Sequence, residues 1–319
     1  MEINKKQAAA LAVLQLLRES RLRPDELDLR LGQVRSPKYW KQINPQLSVN
    51  GVSFDAVEVV ARVAAIEELA THFQKEGYLS VEQIIPKQHV GRMRQGTENL
   101  KRAGWPLVFA YVYDEFWQVT RLPTLANLLA AILGPAYKQI PKMWTHYVAP
   151  EGGTGWPPHT DGWRSSNRVT VWVALSDATV ENGCMYLIPS NSTPARIAQN
   201  FTNLRTITQK SMRTLLMNTR ALPVGEGGVL CWDHRVIHWG STSTGSTEPR
   251  LAISQEFIAR SEKPRSDEIP LFDIETLPTF SQRLDAIGKA LLAYQKFEPL
   301  VIRYADLAKA LVTLDAQST

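Results

Sequence analysis

From Lys138 to Ala259 the chain repeats one pattern: a short run rich in Val, Ile, Trp and Tyr, then a break made of Gly, Pro or Asn. "KQIPKMWTHYVAP", "RVTVWVALSD", "GCMYLIPSNS", "GGVLCWD" and "RLAISQEFIA" are its members. β-Branched and aromatic side chains suit a pleated surface, and the breaks suit turns. Spaced short strands of this kind pair antiparallel. They predict an all-β core with flanking helices, the two sheets closed on each other as a double-stranded β-helix of the jelly-roll or cupin type.

The flanks have a different periodicity. Residues 4–19 read as a helix and residues 20–52 as polar and broken, with "SPKYW" and "INPQLSVNG" as turn signals. A longer helix is expected from Phe54 to Lys75, with Val57, Val60, Ala61, Ala64, Ile66 and Leu69 near helical spacing and Gly77 ending it. "YLSVEQIIP" reads as a strand and turn. Helices are expected over 86–103, 121–133, 281–296 and 304–313. No composition break marks an independent unit. We read residues 1–319 as one catalytic domain: an N-terminal helical extension (1–64), the β-rich core with its entry helices (65–260) and a C-terminal helical segment (261–319).

Bulk composition narrows the setting. At 319 residues and 44% hydrophobic, the chain can bury a sizeable core without staples. Cys184 and Cys231 each lie in an apolar run, which predicts two buried thiols and fits a reducing compartment. The basic start "MEINKKQAAALAVLQLLRES" resembles a secretion signal, but Gln15 interrupts its apolar run and charged residues follow where a cleavage site belongs. No run reaches the length of a membrane span. A cytoplasmic protein that binds neither membrane nor nucleic acid is expected; the oligomeric state is not legible. The net charge of +5 is mild and suits an anionic small molecule. The basic stretch with Lys87, Arg92, Arg94, Lys101 and Arg102 is either a solvated face or a wall that attracts an acidic substrate.

Chemistry concentrates in "GWPPHTDGWRSSNR". In extended backbone, His159 and Asp161 point to one side. An imidazole beside a carboxylate suits iron(II), manganese or zinc. An H-x-D pair alone fits an ordinary hydrogen-bonded turn equally well. Downstream, "GEGGVLCWDHRVIHWGSTSTGSTEPRLAIS" supplies His238 after an apolar strand and Arg250 at the head of another. Two His and one carboxylate make the facial triad of non-haem iron(II) oxygenases, which leaves coordination positions for a keto acid and dioxygen. A buried Arg then suits the distal carboxylate of 2-oxoglutarate through its planar fork.

"PPHTDGW", "VTVWVALSDATVENGCMYLIPSNS" and "GGVLCWDHRVIHWGSTS" with "PRLA" together resemble the phytanoyl-CoA dioxygenase family of Fe(II)/2-oxoglutarate-dependent oxygenases, as does "HFQKEGYLSVEQIIP" upstream. The resemblance covers Ala65 to Ala259. It implies iron ligation by His159, Asp161 and His238, with Arg250 on the 2-oxoglutarate C5 carboxylate and dioxygen as oxidant. His146 stands where relatives often carry a polar residue touching the co-substrate, or else is a satisfied core histidine. Thr170 either supports the C5 carboxylate or simply suits a strand. Lys142 and Trp144 share the face of His146 and are candidates for the substrate wall. Trp163 and Arg164 follow the ligand pair and are candidates for its rim. "PSNS" departs from the Gly-Ser-His common in the family at that loop. Relatives that halogenate replace the carboxylate with Ala or Gly; Asp161 is retained, so oxygen transfer or another hydrogen-abstraction outcome is implied.

The remaining histidines read as ordinary. His72 and His89 belong to helix surfaces, and the turn expected between His234 and His238 gives them no common face. The expected activity is hydroxylation of an unactivated C–H in a small or medium-sized, anionic metabolite, releasing succinate and carbon dioxide. Desaturation, cyclisation or dealkylation uses the same centre. A non-catalytic metal- or ligand-binding jelly roll is the competing class, and Arg250 has no purpose in it.

Overall fold

The computed structural model describes residues 21–51, 66–162, 165, 167–192 and 208–312. Its strands are β1 (Tyr78–Val81), β2 (Lys138–Val148), β3 (Arg168–Ala174), β4 (Met185–Ile188), β5 (Arg220–Leu222), β6 (Val229–Asp233), β7 (Ile237–Gly240) and β8 (Arg250–Ile258). They form a five-stranded antiparallel sheet in the order β1-β6-β3-β8-β2 and a three-stranded one in the order β5-β4-β7.

The central strand β3 shows how the layers are built. Side chains alternate along a strand. Val169, Val171 and Val173 join one hydrophobic cluster with the helices, whereas Trp172 and Ala174 join a second with Met185 and Leu187 of the small sheet. Every residue of β3 is therefore buried. A strand covered on both faces reads as an unbroken apolar run, which is what "VTVWVA" is.

The helices are α1 (Pro24–Val34), α2 (Pro37–Ile43), α3 (Ile66–Glu76), α4 (Lys87–Arg102), α5 (Glu115–Gln118), α6 (Pro123–Leu133), α7 (Gln209–Asn218), α8 (Phe280–Ala293) and α9 (Ala305–Val312). The region expected to be broken carries α1 and α2. Pro24 and Pro37 sit in their first turns, where a missing N–H costs nothing, so these prolines start helices instead of breaking them. Ser36 caps α2 by accepting from the Tyr39 N–H at 3.3 Å. The helices expected over 4–19 and from Phe54 begin outside the described residues; α3 is the described part of the second. Gly77, at φ +79°, ends α3 in the left-handed region.

An aromatic segment, Leu107–Val112, and helices α8 and α9 fill the cluster on the outer face of the large sheet. There Asp114 and Arg283 form a buried ion pair. The same guanidinium donates to the Val112 carbonyl at 3.1 Å, and the carboxylate accepts from the Gly51 N–H at 2.9 Å. Cys184 and Cys231 are free and buried. Among the described residues, no helix is long and apolar enough to cross a membrane.

Candidate metal centre

His159 lies outside the named strands, but its backbone bridges to β7. The His159 N–H donates to the His238 carbonyl at 3.0 Å, and the His238 N–H returns a bond to His159 at 3.0 Å. This closed pair aligns the two imidazoles, whose ring centroids are 4.4 Å apart. Each ring is fixed the same way. Nδ1 of His159 faces the Pro157 carbonyl at 2.7 Å, and Nδ1 of His238 faces the Val236 carbonyl at 3.0 Å. A carbonyl accepts only, so it places the proton on Nδ1 and leaves the Nε2 lone pair free.

Both free Nε2 atoms face Asp161 Oδ1, at 3.6 Å from His159 and 3.7 Å from His238. The other oxygen, Oδ2, accepts from the Thr170 hydroxyl at 2.7 Å and from the Trp232 indole N–H at 2.9 Å. The carboxylate thus offers one oxygen to the two nitrogens while its partner is restrained. Ligand atoms of these three residues all lie within 4.8 Å of one another. Burial opposes ionisation of Asp161, but His238, His234, His159 and the Thr170 hydrogen bond hold its carboxyl well below the usual range. Burial and then the neighbouring His238 push His159 down to about 4, so that imidazole is neutral at pH 7.

Arg250 heads β8 and is 1% exposed. Its Nη1 donates to Met185 Sδ at 3.2 Å, and its Nε has no partner. Among the described residues no carboxylate pairs with it. Burial lowers this guanidinium to about 10. Room for it comes from Gly240: a Cβ there would lie 2.9 Å from Arg250 Nη2 and 2.9 Å from Gly155 Cα.

One cavity joins these groups. It is lined by the three clustered side chains and Arg250, by His146, Thr170, Trp172 and Trp232, and by Ser254, Glu256, Tyr294 and Trp156 among others. His146 bonds Ser254 Oγ through Nε2 at 2.9 Å and is pushed down to about 3 by burial and the nearby Arg250. Glu256 accepts from the Tyr294 hydroxyl at 3.1 Å; burial and then Asp161 push its carboxyl up to about 8.

The structure brings His146, His159, Asp161, Thr170, His238 and Arg250 together in this cavity. The hydroxyl of Thr170 is donated to Asp161 and not to a position beside Arg250. Trp144 lies behind the wall, with its ring 5.1 Å from Tyr294 and 6.1 Å from Trp156. Lys142 turns to Asp267 at 3.2 Å and Glu268 at 3.7 Å and does not line the cavity. Trp163 and Arg164 lie outside the described residues. His72 is exposed as expected, but His89 is 5% exposed because it shares the inner face of α4 with Val90 and Met93. His234 is fully buried and lies outside the three-residue cluster. The basic residues of α4 do not reach the cavity; Arg94 pairs with Glu226, and Lys101 sits over the Tyr147 ring.

Sequence reasoning passed over Trp232, Ser254, Glu256, Tyr294 and Phe297. Glu256 left a signal: Arg250, Ala252, Ser254 and Glu256 alternate on β8, and a charge at an inward position of an apolar strand is unusual. Tyr294 and Phe297 left none. They follow α8, and only tertiary packing carries Phe297 onto Trp156 (centroids 4.6 Å apart) and His159 (5.0 Å).

A family model described as phytanoyl-CoA dioxygenase matches residues 73–252, more than half of the chain. No curated protein sequence matches. Among solved structures, the epimerase SnoN in complex with Fe3+, alpha ketoglutarate and nogalamycin RO is 20% identical, over 65% of this chain and 91% of its own, with a TM-score of 0.53. The non-heme monooxygenase ThoJ in its Ni complex is 15% identical, over 73% of this chain and 99% of its own, with a TM-score of 0.53. At such identities the likeness is one of fold.

Proposed function

Because the chain belongs to the phytanoyl-CoA dioxygenase family, we propose that it hydroxylates an unactivated C–H bond of a small or medium-sized metabolite, with succinate and carbon dioxide as co-products. It is an Fe(II)/2-oxoglutarate-dependent oxygenase, with dioxygen as oxidant. Our reading of its architecture is a double-stranded β-helix whose two halves are the large and small sheets, in one catalytic domain. The packing of Tyr294 and Phe297 against the cavity supports including the C-terminal segment in that domain.

The observation that carries the reading is the convergence of His159 Nε2, His238 Nε2 and Asp161 Oδ1 in a cavity shared with a buried guanidinium that lacks a counter-ion. The donor set of two imidazoles and one carboxylate fits iron(II). Arg250 fits the far carboxylate of 2-oxoglutarate, because a buried cation needs an anion and a guanidinium takes a carboxylate through two parallel bonds. Iron(II) held there, with its co-substrate and dioxygen, supplies an oxidant able to remove hydrogen from carbon.

The chain's own work is positional. The backbone bonds at Nδ1 hold both imidazoles in the ligating tautomer. Thr170 and Trp232 keep Asp161 to one ligating oxygen. His146 and Ser254 are the polar pair on the wall beside Arg250, and their hydrogen bond keeps the imidazole oriented. Trp156, Phe297 and Tyr294 exclude water from the reacting face.

Anaerobic addition of iron(II) and 2-oxoglutarate tests the assignment through the weak visible charge-transfer band of such complexes. Wild type is expected to develop the band and His238→Ala to lose it. An iron-loaded wild type without a band overturns the reading. Arg250→Ala is expected to raise the KM for 2-oxoglutarate by about tenfold or more; an unchanged KM reassigns that residue. Product analysis of an oxidised substrate separates hydroxylation from desaturation, cyclisation or dealkylation.

A further inference from the structure

Once iron and co-substrate are assigned, one buried ionisable side chain on the cavity wall has no task. Glu256 lies on the same inward face of β8 as Arg250 and Ser254. A strand rises about 3.3 Å per residue, so the Cα atoms of Arg250 and Glu256 stand roughly 20 Å apart along β8, while both side chains reach the one cavity. Glu256 is paired in register with Thr170, the residue that restrains Asp161. Arg250 therefore heads the opposite end of β8 from Glu256, and Asp161 lies beside the Thr170–Glu256 pair.

Its hydrogen bonding is incomplete. Oε1 accepts from the Tyr294 hydroxyl at 3.1 Å. Oε2 faces His234 Nε2 at 3.6 Å, which is beyond hydrogen-bond length. Both ring nitrogens of His234 lack a hydrogen-bond partner. Lys142, on the neighbouring strand, bridges to Asp267 and Glu268 instead. Among the described residues, no lysine or arginine forms an ion pair with Glu256. Buried without a counter-charge, the carboxyl keeps its proton up to about pH 8, and a cation placed beside it would draw it into the carboxylate form.

The surroundings narrow what that partner is. Tyr294 packs against Trp156 with centroids 5.0 Å apart and against Trp144 at 5.1 Å, so an aromatic wall rises from the carboxylate. Aromatic faces attract cations, and aromatic walls with a carboxylate at their foot suit an ammonium group. An acidic substrate would keep the carboxyl protonated and gain at most one hydrogen bond from it. An alcohol would exchange a neutral hydrogen bond with the carboxyl and gain no charge pairing.

We propose that Glu256, with the aromatic wall of Tyr294 and Trp156 that Trp144 backs, is the docking point for the primary substrate, and that this substrate presents a basic amine nitrogen bound as ammonium. The inference rests on the oxygenase assignment of the cavity. The net charge of +5 belongs to the whole chain; the group that meets the substrate is acidic.

The test is anaerobic calorimetric titration of the iron(II)- and 2-oxoglutarate-loaded protein with benzylamine, benzyl alcohol and benzoate. The visible band reports loading in every sample, so its failure to form counts against the oxygenase reading and is seen before any titration. With the band present, wild type is expected to bind benzylamine about tenfold or more tighter than either isostere. Glu256→Gln is expected to erase that preference. Absence of benzylamine binding, an alcohol or acid bound as tightly, or a preference that survives in Glu256→Gln overturns the proposal. Should Glu256→Gln fail to fold, Tyr294→Leu carries the test: it is expected to weaken benzylamine about threefold more than benzyl alcohol, and equal weakening overturns the proposal.

Discussion

Asp161 divides its oxygens between two duties, and most of the site's specificity for geometry follows from that division. Oδ1 faces the imidazoles, while Oδ2 is held by Thr170 and Trp232. Thr170→Val and Trp232→Phe are each expected to weaken iron(II) binding by about tenfold in a chelator competition, because outer partners orient a ligand without touching the metal. His234 gives a pH prediction. Burial pushes it from 6.5 down to about 4, so the native chain keeps it neutral where the unfolded chain takes up a proton. Its contribution is fully present above pH 6.5 and is lost as pH falls toward about 4. Glu256, raised to about 8, has the opposite sign: its contribution is lost as pH rises through about 8. Metal-free wild type and His234→Leu, compared by denaturant unfolding between pH 4 and 6.5, should therefore diverge by about 1.4 kcal/mol per pH unit, the variant losing less on acidification. At this scale the grouping of His159, Asp161 and His238 with a buried Arg250 was legible, because an H-x-D pair, a distal His and an Arg heading an apolar strand each show in the sequence. Trp232 was not, since an indole in "VLCWD" looks like core until its N–H is seen to reach a carboxylate.

Among the elements, the long apolar strands β2, β3, β6 and β8 were readable from β-branched and aromatic enrichment alone. β5 and β7 were not. Arg220–Leu222 is too short to show a period, and "IHWG" looked like a link until it paired with β4 and bridged to His159. The short helical turns between Leu107 and Arg121 were equally opaque, because apolar and aromatic residues there face the core all round. The turn after α8, Tyr294–Lys296, positions the aromatic wall and Phe297 behind it. Phe297→Ala is expected to leave the unfolding free energy within ~2 kcal/mol of wild type. It should also raise succinate formation in the absence of primary substrate several-fold, because water then reaches the reacting face. An unchanged succinate background would remove the wall from the mechanism.

For the molecule as a whole, the helices and the outer face of the large sheet form one hydrophobic cluster, and the buried Asp114–Arg283 pair ties α8 to the segment that follows Val112. Asp114→Ala leaves a guanidinium buried without its carboxylate, so a loss of about 3–5 kcal/mol is expected in denaturant unfolding at neutral pH. That long-range clasp had no trace in the local pattern; only the folded chain places residues so far apart in sequence together. Arg250 carries a different consequence at this scale. It is a buried cation with which no carboxylate pairs among the described residues. Any small dicarboxylate that fills the position stabilises the fold by about 2.7 kcal/mol at a hundred times its Kd. On the role proposed for Arg250, resistance to unfolding and proteolysis would then rise with the supply of 2-oxoglutarate.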